Sequence, residues 1–448
     1  MFGGSRRTTR SRKFCPGSAI RPDFYRRDRD VDQQTGMEHQ DASLRSILSP
    51  KECRSPQFAP FQAWARSEPN TKAMRIAQIA PLYESVPPKL YGGTERVVAH
   101  LTDELVRRGH EVVLFASADS KTSAELVPCR DVALRLDNDL SWDIPAHLSM
   151  LAEVRNRAHE FDVLHFHLDC FHLPFFHDRV GQTLTTMHGR QDIRDLGALH
   201  RHYPNYPLVS ISNSQRRSLP HLNWVKTIHH GYPKFQYTFS SAARGGYLAF
   251  LGRISPEKGL DRAIEIARQS GIPLRVAAKI DRADKDYFEA RIEPLLKGPG
   301  IEFIGEIGEG EKSEFLGRAL ALLFPISWPE PFGLVMIEAM ACGTPVIAFQ
   351  RGSAPEVVKH GVTGFIVETV KEAVAAVKEI DAIDRGVVRA EFERRFSVDV
   401  MAKNYEIAYA DIQTIRGDLD MPAQFEGLNG LRLELESGIL AQGTSPRG

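Results

Sequence analysis

From Met74 onward the apolar residues follow two alternating rhythms. Short apolar runs bounded by turn residues read as strands buried on both faces, and apolar positions recurring every three or four residues read as helices with one buried stripe. Arg75 to Ala80, Glu111 to Ala116, Val163 to His167, Thr183 to Met187, Leu208 to Ser212 and Thr227 to His229 are the expected strands of a first series. Between the first two, Val97, Val98, Leu101, Leu105 and Val106 fall at helical spacing. Arg107 and Arg108 suit the negative end of that helix and Gly109 supplies its stop. Strands alternating with helices predict βαβ units and one open parallel sheet over residues 74–232.

Residues 233–246, with Pro233, Ser240, Ser241, Gly245 and Gly246, read as a linker. A second series fills 247–395, with strands expected at Tyr247 to Leu251, Leu274 to Ala278, Ile301 to Ile304, Ala321 to Phe324, Pro345 to Ala348 and Gly364 to Val367. Its helices are expected at Gly259 to Ser270, Ala283 to Leu296, Glu311 to Ala319, Phe332 to Ala341 and Val370 to Ile380. A closing helix is expected within 396–415, over Val398 to Ile412, and the tail 416–448 carries too little periodic apolar content to assign. The fold class is therefore α/β, with two Rossmann-like domains.

Length agrees, since 448 residues exceed what one core usually holds. No stretch approaches the roughly 20 apolar residues of a membrane helix. Five cysteines, Cys15, Cys53, Cys129, Cys170 and Cys342, are scattered and odd in number, which argues against a disulfide framework and fits a reducing cytoplasm. The net charge is zero but unevenly spread: residues 1–73 hold 14 Lys/Arg against 8 Asp/Glu, and the rest carries the compensating acidic excess. Acidic Asp28, Asp30 and Asp32 interrupt the basic run and no apolar segment follows, so a disordered extension is expected there rather than a targeting peptide or nucleic-acid arm. Asp28-Arg29-Asp30 spells the DxD pattern of metal-dependent sugar transferases but lacks the strand that such a motif follows.

Three segments place candidate chemistry at strand ends, where open α/β sheets bind ligands. The first strand leads through Pro81 and Pro88 into Tyr91-Gly92-Gly93-Thr94-Glu95 and a helix, a context in which glycines admit close backbone approach and helix amides favour an anion. An ordinary strand-to-helix turn is the alternative. In the second series, Gly252-Arg253-Ile254-Ser255-Pro256-Glu257-Lys258-Gly259 puts a guanidinium and an ammonium on one loop, a pair able to neutralise a diphosphate without magnesium. The segment Glu330-Pro331-Phe332-Gly333-Leu334-Val335-Met336-Ile337-Glu338 sets two carboxylates eight positions apart, one in a loop and one inside a helix. The amides of Gly333, Leu334 and Val335 would be unpaired at that helix start. Met336, Ile337, Ala339 and Met340 mark the helix as buried, where an unpaired Glu338 would be costly.

Together, Glu330-Pro331-Phe332-Gly333…Glu338, Gly252-Arg253…Lys258-Gly259 and Gly92-Gly93 resemble retaining glycosyltransferase family four over residues 74 to about 412. The resemblance implies the GT-B fold, two facing Rossmann-like domains with a donor cleft between them. The Tyr-Gly-Gly-Thr-Glu opening is similar to a bacterial subgroup that includes transferases of antibiotic and exopolysaccharide pathways. It further implies that Arg253 and Lys258 contact the diphosphate of a nucleoside-diphosphate sugar, Glu330 the transferred hexose, Glu338 the ribose, and Gly93 a phosphate from across the cleft, with Gly92, Phe332, Gly333, Leu334 and Val335 also expected at the donor. His188 of Thr186-Met187-His188-Gly189 matches the family's donor-facing histidine, and Ile307 of Gly305-Glu306-Ile307-Gly308 falls where the family reads the base.

No cofactor and no metal are expected on that reading. The acceptor is a glycan, a lipid-linked or a small molecule, with no nucleic-acid partner and at most peripheral contact at the inner face of the membrane. Asp169, Arg190 and Asp192 are candidates for the acceptor side. His165 and His167 share one strand face without a third ligand near in sequence, so a packed strand end is preferred to a metal site. A sugar-nucleotide epimerase on the same fold and a silent nucleotide-sugar or glycan-binding protein are the rivals.

Overall fold

A computed structural model of the chain describes residues 72–89, 92–137 and 142–420. The expected basic extension up to residue 71, Tyr91 and the tail beyond residue 420 lie outside the described residues. The strands of the first series are β1 (Arg75–Ile79), β2 (Glu111–Ser117), β3 (Glu125–Arg130), β4 (Val163–Phe166), β5 (Thr183–Met187), β6 (Leu208–Ser210) and β7 (Trp224–Thr227). They form one sheet in the order β3-β2-β1-β4-β5-β6-β7, parallel at every pairing. The second sheet is β8 (Leu248–Arg253), β9 (Leu274–Lys279), β10 (Ile301–Gly305), β11 (Ala321–Phe324), β12 (Val346–Phe349) and β13 (Gly364–Val367), again all parallel, in the order β10-β9-β8-β11-β12-β13. In both sheets the chain winds outward in both directions from its first strand, so β1 and β8 each end at a switch point where a crevice opens. Ile76, Leu164, Leu248, Leu322 and Ile347 are at most 1% exposed. Burial of this kind contributes roughly 1.5–3 kcal/mol per side chain and is why these strands read as unbroken apolar runs.

Eight helices matter below: α1 (Gly93–Arg107), α2 (Ile144–Arg157), α3 (Leu260–Ser270), α4 (Glu309–Gly317), α5 (Leu334–Ala341), α6 (Val370–Lys378), α7 (Arg385–Phe396) and α8 (Val398–Asp420). The closing helix α8 returns to the first domain. Met401, Ala402, Tyr405, Ala408, Tyr409 and Ile412 pack with Met74, Ile76, Val97 and Leu184 in one apolar cluster. Glu406 fixes the crossing by accepting from both Arg108 Nε and Nη2 at 2.8 Å and by meeting His110 Nε2 at 3.0 Å. The two chain passages between domains lie side by side, since Tyr232 N donates to Phe396 O at 2.9 Å and Val398 N donates to Tyr232 O at 2.8 Å.

Several expectations are corrected. The strand expected at Thr227 to His229 is Trp224–Thr227, because the chain is already leaving the sheet for the interdomain passage at Ile228. β3 is an edge strand, partly exposed and carrying Pro128, so it lacks the buried apolar run that marks the others. The helix expected over Ala283 to Leu296 is broken by a π-type turn at Phe288–Ile292 ahead of Pro294, whose missing amide cannot continue the ladder. α7 was not expected, because Arg385–Phe396 is too charged to show an apolar stripe. α5 starts at Leu334 rather than Phe332, because Gly333 takes the left-handed conformation at φ 80° and sets the helix entry.

Candidate functional site

The loops that follow β1, β5, β8, β10 and β11, with the end of β9, converge on one cavity of about 450 Å³. That volume lies in the range of small-molecule sites. From the first domain, Gly92, Gly93 and Arg96 line it at the start of α1, with His188 after β5 and His230 in the passage between domains. Gly92 has no room for a side chain: a Cβ there would lie 2.8 Å from Pro88 Cβ. At Gly93 the same atom would lie 3.5 Å from Leu334 Cδ1, so the two domains approach each other at these glycines.

The second domain supplies Lys258, Ile307, Glu330, Phe332, Gly333, Leu334, Val335 and Glu338 to the same cavity. Lys258 ends a short 3-10 turn, Pro256–Lys258, and the chain then turns through Gly259 at φ 74°, where a Cβ would fall 2.2 Å from Pro325 O. The Lys258 ammonium forms an ion pair with Glu330 and also stands 5.0 Å from the Trp328 ring centroid. Glu330 is held from behind by the chain at Gly352, at φ 55°, where an added Cβ would come within 2.3 Å of Glu330 O. The α5 N-terminus has no side-chain cap, so its first amides are available to a ligand in the cavity that Gly333, Leu334 and Val335 line.

Glu338, one turn into α5, is 4% exposed. Its Oε1 accepts from the Tyr232 hydroxyl at 2.7 Å and from Lys312 Nζ at 3.0 Å. Among the described residues both bonds recorded for this carboxylate fall on Oε1. Lys312 also meets Glu309 at 3.1 Å, and Glu309 pairs with Arg96 of the first domain at 2.7 Å and accepts from Gln236 at 2.8 Å and from the Tyr237 hydroxyl. Burial alone would lower the Lys312 pKa; Glu338 and Glu309 outweigh it and raise it. Burial likewise opposes ionisation of Glu309, but Lys312 and Arg96 hold its carboxyl below the ordinary value. These partners answer the cost expected for a buried Glu338.

Arg253 is the expected site residue that does not line the cavity. Its guanidinium instead donates to Glu257 at 2.7 Å and lies 3.6 Å from Asp284. Of the acceptor-side candidates, Arg190 and Asp192 pair with each other at 2.7 Å, with Arg190 over the Trp328 ring at 5.7 Å. Asp169 is the one described non-glycine residue with positive φ, at 49°. Burial pushes its pKa up to about 6 although the amides of Gly189 and His188 favour its anion. Arg96, His230, Tyr232, Glu309 and Lys312 were not singled out from sequence. Arg96 could have been found from its place in the first turn after the glycine pair, and His230 from the His-His-Gly run after a strand; the pairing of Lys312 with Glu338 has no sequence signal.

His165 and His167 are part of a buried polar chain. His165 Nδ1 meets Tyr409 Oη and its Nε2 meets Thr186 Oγ1, both at 2.8 Å. His167 Nε2 meets Gln78 Oε1 and its Nδ1 meets His188 Nε2, again at 2.8 Å. Every ring nitrogen of these two histidines has a partner, and among the described residues no three metal-capable side chains converge.

Two family models match the chain: Glycosyltransferase Family 4 over residues 91–256 and Glycosyl transferases group 1 over residues 239–389. The chain is 28% identical to a glycogen synthase of Mycobacterium tuberculosis over 343 residues, covering 65% of this chain and 81% of the relative. It is 26% identical to a D-inositol 3-phosphate glycosyltransferase of Mycolicibacterium smegmatis over 398 residues, covering 71% and 87%. Among solved structures, AviGT4, a glycosyltransferase involved in avilamycin A biosynthesis, aligns with a TM-score of 0.60 at 24% identity, over 76% of this chain and 98% of its own. Anabaena Alr3699/HepE in complex with UDP and glucose aligns at 0.60 and 18% identity, over 75% and 100%. Two parallel-sheet domains that meet at one cavity, matched in turn by the two family models, make this chain a glycosyltransferase of the GT-B fold, a nucleotide-sugar-dependent hexosyltransferase.

Proposed function

We propose that the chain transfers a hexose from a nucleoside-diphosphate sugar to a hydroxyl acceptor with retention of anomeric configuration and without a metal. The observation that carries this reading is the Lys258–Glu330 ion pair beside the uncapped N-terminus of α5, with Glu338 one turn deeper in the same cavity. Breaking the anomeric bond leaves positive charge on the sugar and added negative charge on the β-phosphate. Lys258 and the amides of Gly333, Leu334 and Val335 meet that negative charge, and Arg253 joins them by exchanging Glu257 for the diphosphate. Glu330, released by Lys258, accepts from the hexose, and Glu338 accepts from the ribose through Oε2. Gly92 and Gly93 let a phosphate approach from the facing domain, and Ile307 borders the base. Departure and attack then share one face of the sugar, with no covalent nucleophile.

The acceptor is a glycan, a lipid-linked or a small molecule, and the similarity of the Tyr91-Gly92-Gly93-Thr94-Glu95 opening to transferases of antibiotic and exopolysaccharide pathways is the sequence feature that bears on it. The test is release of nucleoside diphosphate from UDP-, GDP- and ADP-hexoses in the presence of a chelator, with the anomeric proton of the product read by NMR. Retention, with release lost in Arg253→Ala and Glu330→Ala, is the expected result. Inversion or strict dependence on a divalent ion contradicts the mechanism, and absence of release with every donor favours a silent binding protein.

A further inference from the structure

The polar chain beneath the first-domain wall constrains what His188 can offer a ligand, given the reading that this residue faces the transferred sugar. One ring nitrogen, Nε2, is occupied by His167 Nδ1 at 2.8 Å, and the other, Nδ1, is shut from solvent and has no partner among the described residues. Nδ1 is therefore the ring nitrogen left for a cleft occupant, which reaches it by displacing what now covers it. Whether Nδ1 accepts or donates is decided two residues away along this polar chain. Gln78 Nε2 donates to Tyr409 Oη at 3.1 Å, which leaves its Oε1, a pure acceptor, 2.8 Å from His167 Nε2. His167 must then carry its proton on Nε2, and because burial keeps this ring neutral, its Nδ1 is bare. The bare Nδ1 requires a proton on His188 Nε2, and burial holds His188 neutral too, with a pKa of about 3, so His188 Nδ1 is bare in turn.

The opposite polarity, with the Gln78 amide reversed, would leave an N–H on His188 Nδ1 buried without an acceptor. Orphaned buried N–H groups are rarer than under-used acceptors, which favours the first arrangement. The rest of the chain is consistent with it. Tyr409 Oη, having accepted from Gln78, donates to His165 Nδ1; His165 Nε2 donates to Thr186 Oγ1, whose hydroxyl partner is Tyr405 Oη at 2.8 Å. Tyr409 on α8 thereby anchors the amide that sets both rings.

We propose that Gln78 and His167 are positioning residues that lock His188 with its ring proton on Nε2, so that it meets a cleft occupant only as a hydrogen-bond acceptor through Nδ1. It follows that His188 selects a hydroxyl on the transferred sugar, and that it neither stabilises an oxyanion nor supplies a proton.

The test is long-range proton–nitrogen NMR on the full chain labelled with ¹⁵N-histidine, with His188 assigned from a His188→Gln spectrum. The expected result is a protonated Nε2 and a bare Nδ1 on His188 at neutral pH, retained in Gln78→Glu, which can only accept from His167, and mixed or reversed in Gln78→Leu. A proton on Nδ1 in the unmodified protein overturns the proposal, as does an unchanged tautomer in a folded Gln78→Leu. Should that variant fail to fold, the spectrum of the unmodified chain still decides. In turnover, Gln78→Leu lowers kcat/KM for the preferred donor roughly five- to tenfold, the weight of one hydrogen bond, and leaves the monodeoxy donor that lacks the contacted hydroxyl unaffected. Absence of turnover with every donor would count against the transferase reading, while the tautomer alone decides this one.

Discussion

The two walls of the cleft are built from opposite materials. The first-domain wall is mostly neutral, with the backbone of Gly92 and Gly93 and the rings of His188 and His230, groups that act through hydrogen bonds and close approach. The second-domain wall is charged, and its central charges are already matched, Lys258 with Glu330 and Lys312 with Glu338 and Glu309. Arg96 and Lys89 depart from this division, Arg96 reaching from α1 to Glu309 across the domain boundary and Lys89 pairing with Asp119. A neutral wall has no ion pair to break when a ligand arrives. A wall of matched ions must exchange partners when a diphosphate arrives, so binding and catalysis should be sensitive to the second wall, whereas orientation and folding should be sensitive to the first.

The largest effect expected from this contrast is at Lys258. Lys258→Met should lower turnover about 10²- to 10³-fold, the usual cost of one donor to developing negative charge, with an unchanged circular dichroism spectrum. A loss below tenfold would mean that the second wall does not carry the charge. Next is Glu406, which pins α8 beneath the first wall. Burial opposes its ionisation, but His110 and Arg108 prevail and hold its carboxyl near a pKa of about 2. A depressed carboxyl stabilises the fold above its ordinary value of 4.5, and the gain disappears as pH falls through about 2. Glu406→Gln should therefore cost roughly 2 kcal/mol in denaturant unfolding at neutral pH, and its gap from the unmodified protein should narrow between pH 4.5 and 2. An equal gap at all pH values would contradict the assignment.

Gly352→Ala sharpens the comparison from the back of the second wall. With φ at 55° and a Cβ overlapping the Glu330 backbone, it should cost about 1–3 kcal/mol and displace Glu330, so turnover falls even where the protein is fully folded. The smallest effect belongs to the first-wall histidines. Burial lowers the pKa of His188 to about 3 and sets His165, His167 and His230 well below 6.5, so the unfolded chain takes up protons that the folded chain refuses. Their contribution is whole above pH 6.5 and is lost as pH falls, with a slope of up to about 1.4 kcal/mol per pH unit for each ring. His230→Phe should flatten that slope by one proton between pH 6.5 and 5, as read by urea unfolding, and an unchanged slope would show that His230 is protonated in the fold.

Much of this was legible in the sequence because buried parallel strands cannot disguise themselves. Ile76, Leu248 and Ile347 sit in runs that must be apolar on both faces. The cleft loops were legible for a related reason, since Gly92-Gly93 and Gly333 stand where backbone must pass close to something else. What the sequence hid is contact between residues far apart in it. Arg253 shares a loop with Lys258, yet its guanidinium turns to Glu257 and Asp284. Lys312 sits in an α4 of little apolar periodicity, and only the fold brings it to Glu338. His165 and His167 share a face by period alone, whereas the α8 partner of His165, Tyr409, lies 244 residues away. The charged helix α7 and the edge strand β3 were missed because neither is buried enough to impose a pattern.

The most direct test of the two-wall account is a crystal structure of the chain with a non-hydrolysable nucleoside-diphosphate hexose. The account predicts that Lys258 Nζ leaves the Glu330 carboxylate for the diphosphate, that Glu330 takes a sugar hydroxyl, and that the first wall keeps its geometry with His188 still bonded to His167. A donor bound with the Lys258–Glu330 pair intact, or a diphosphate held away from the α5 N-terminus, would contradict it.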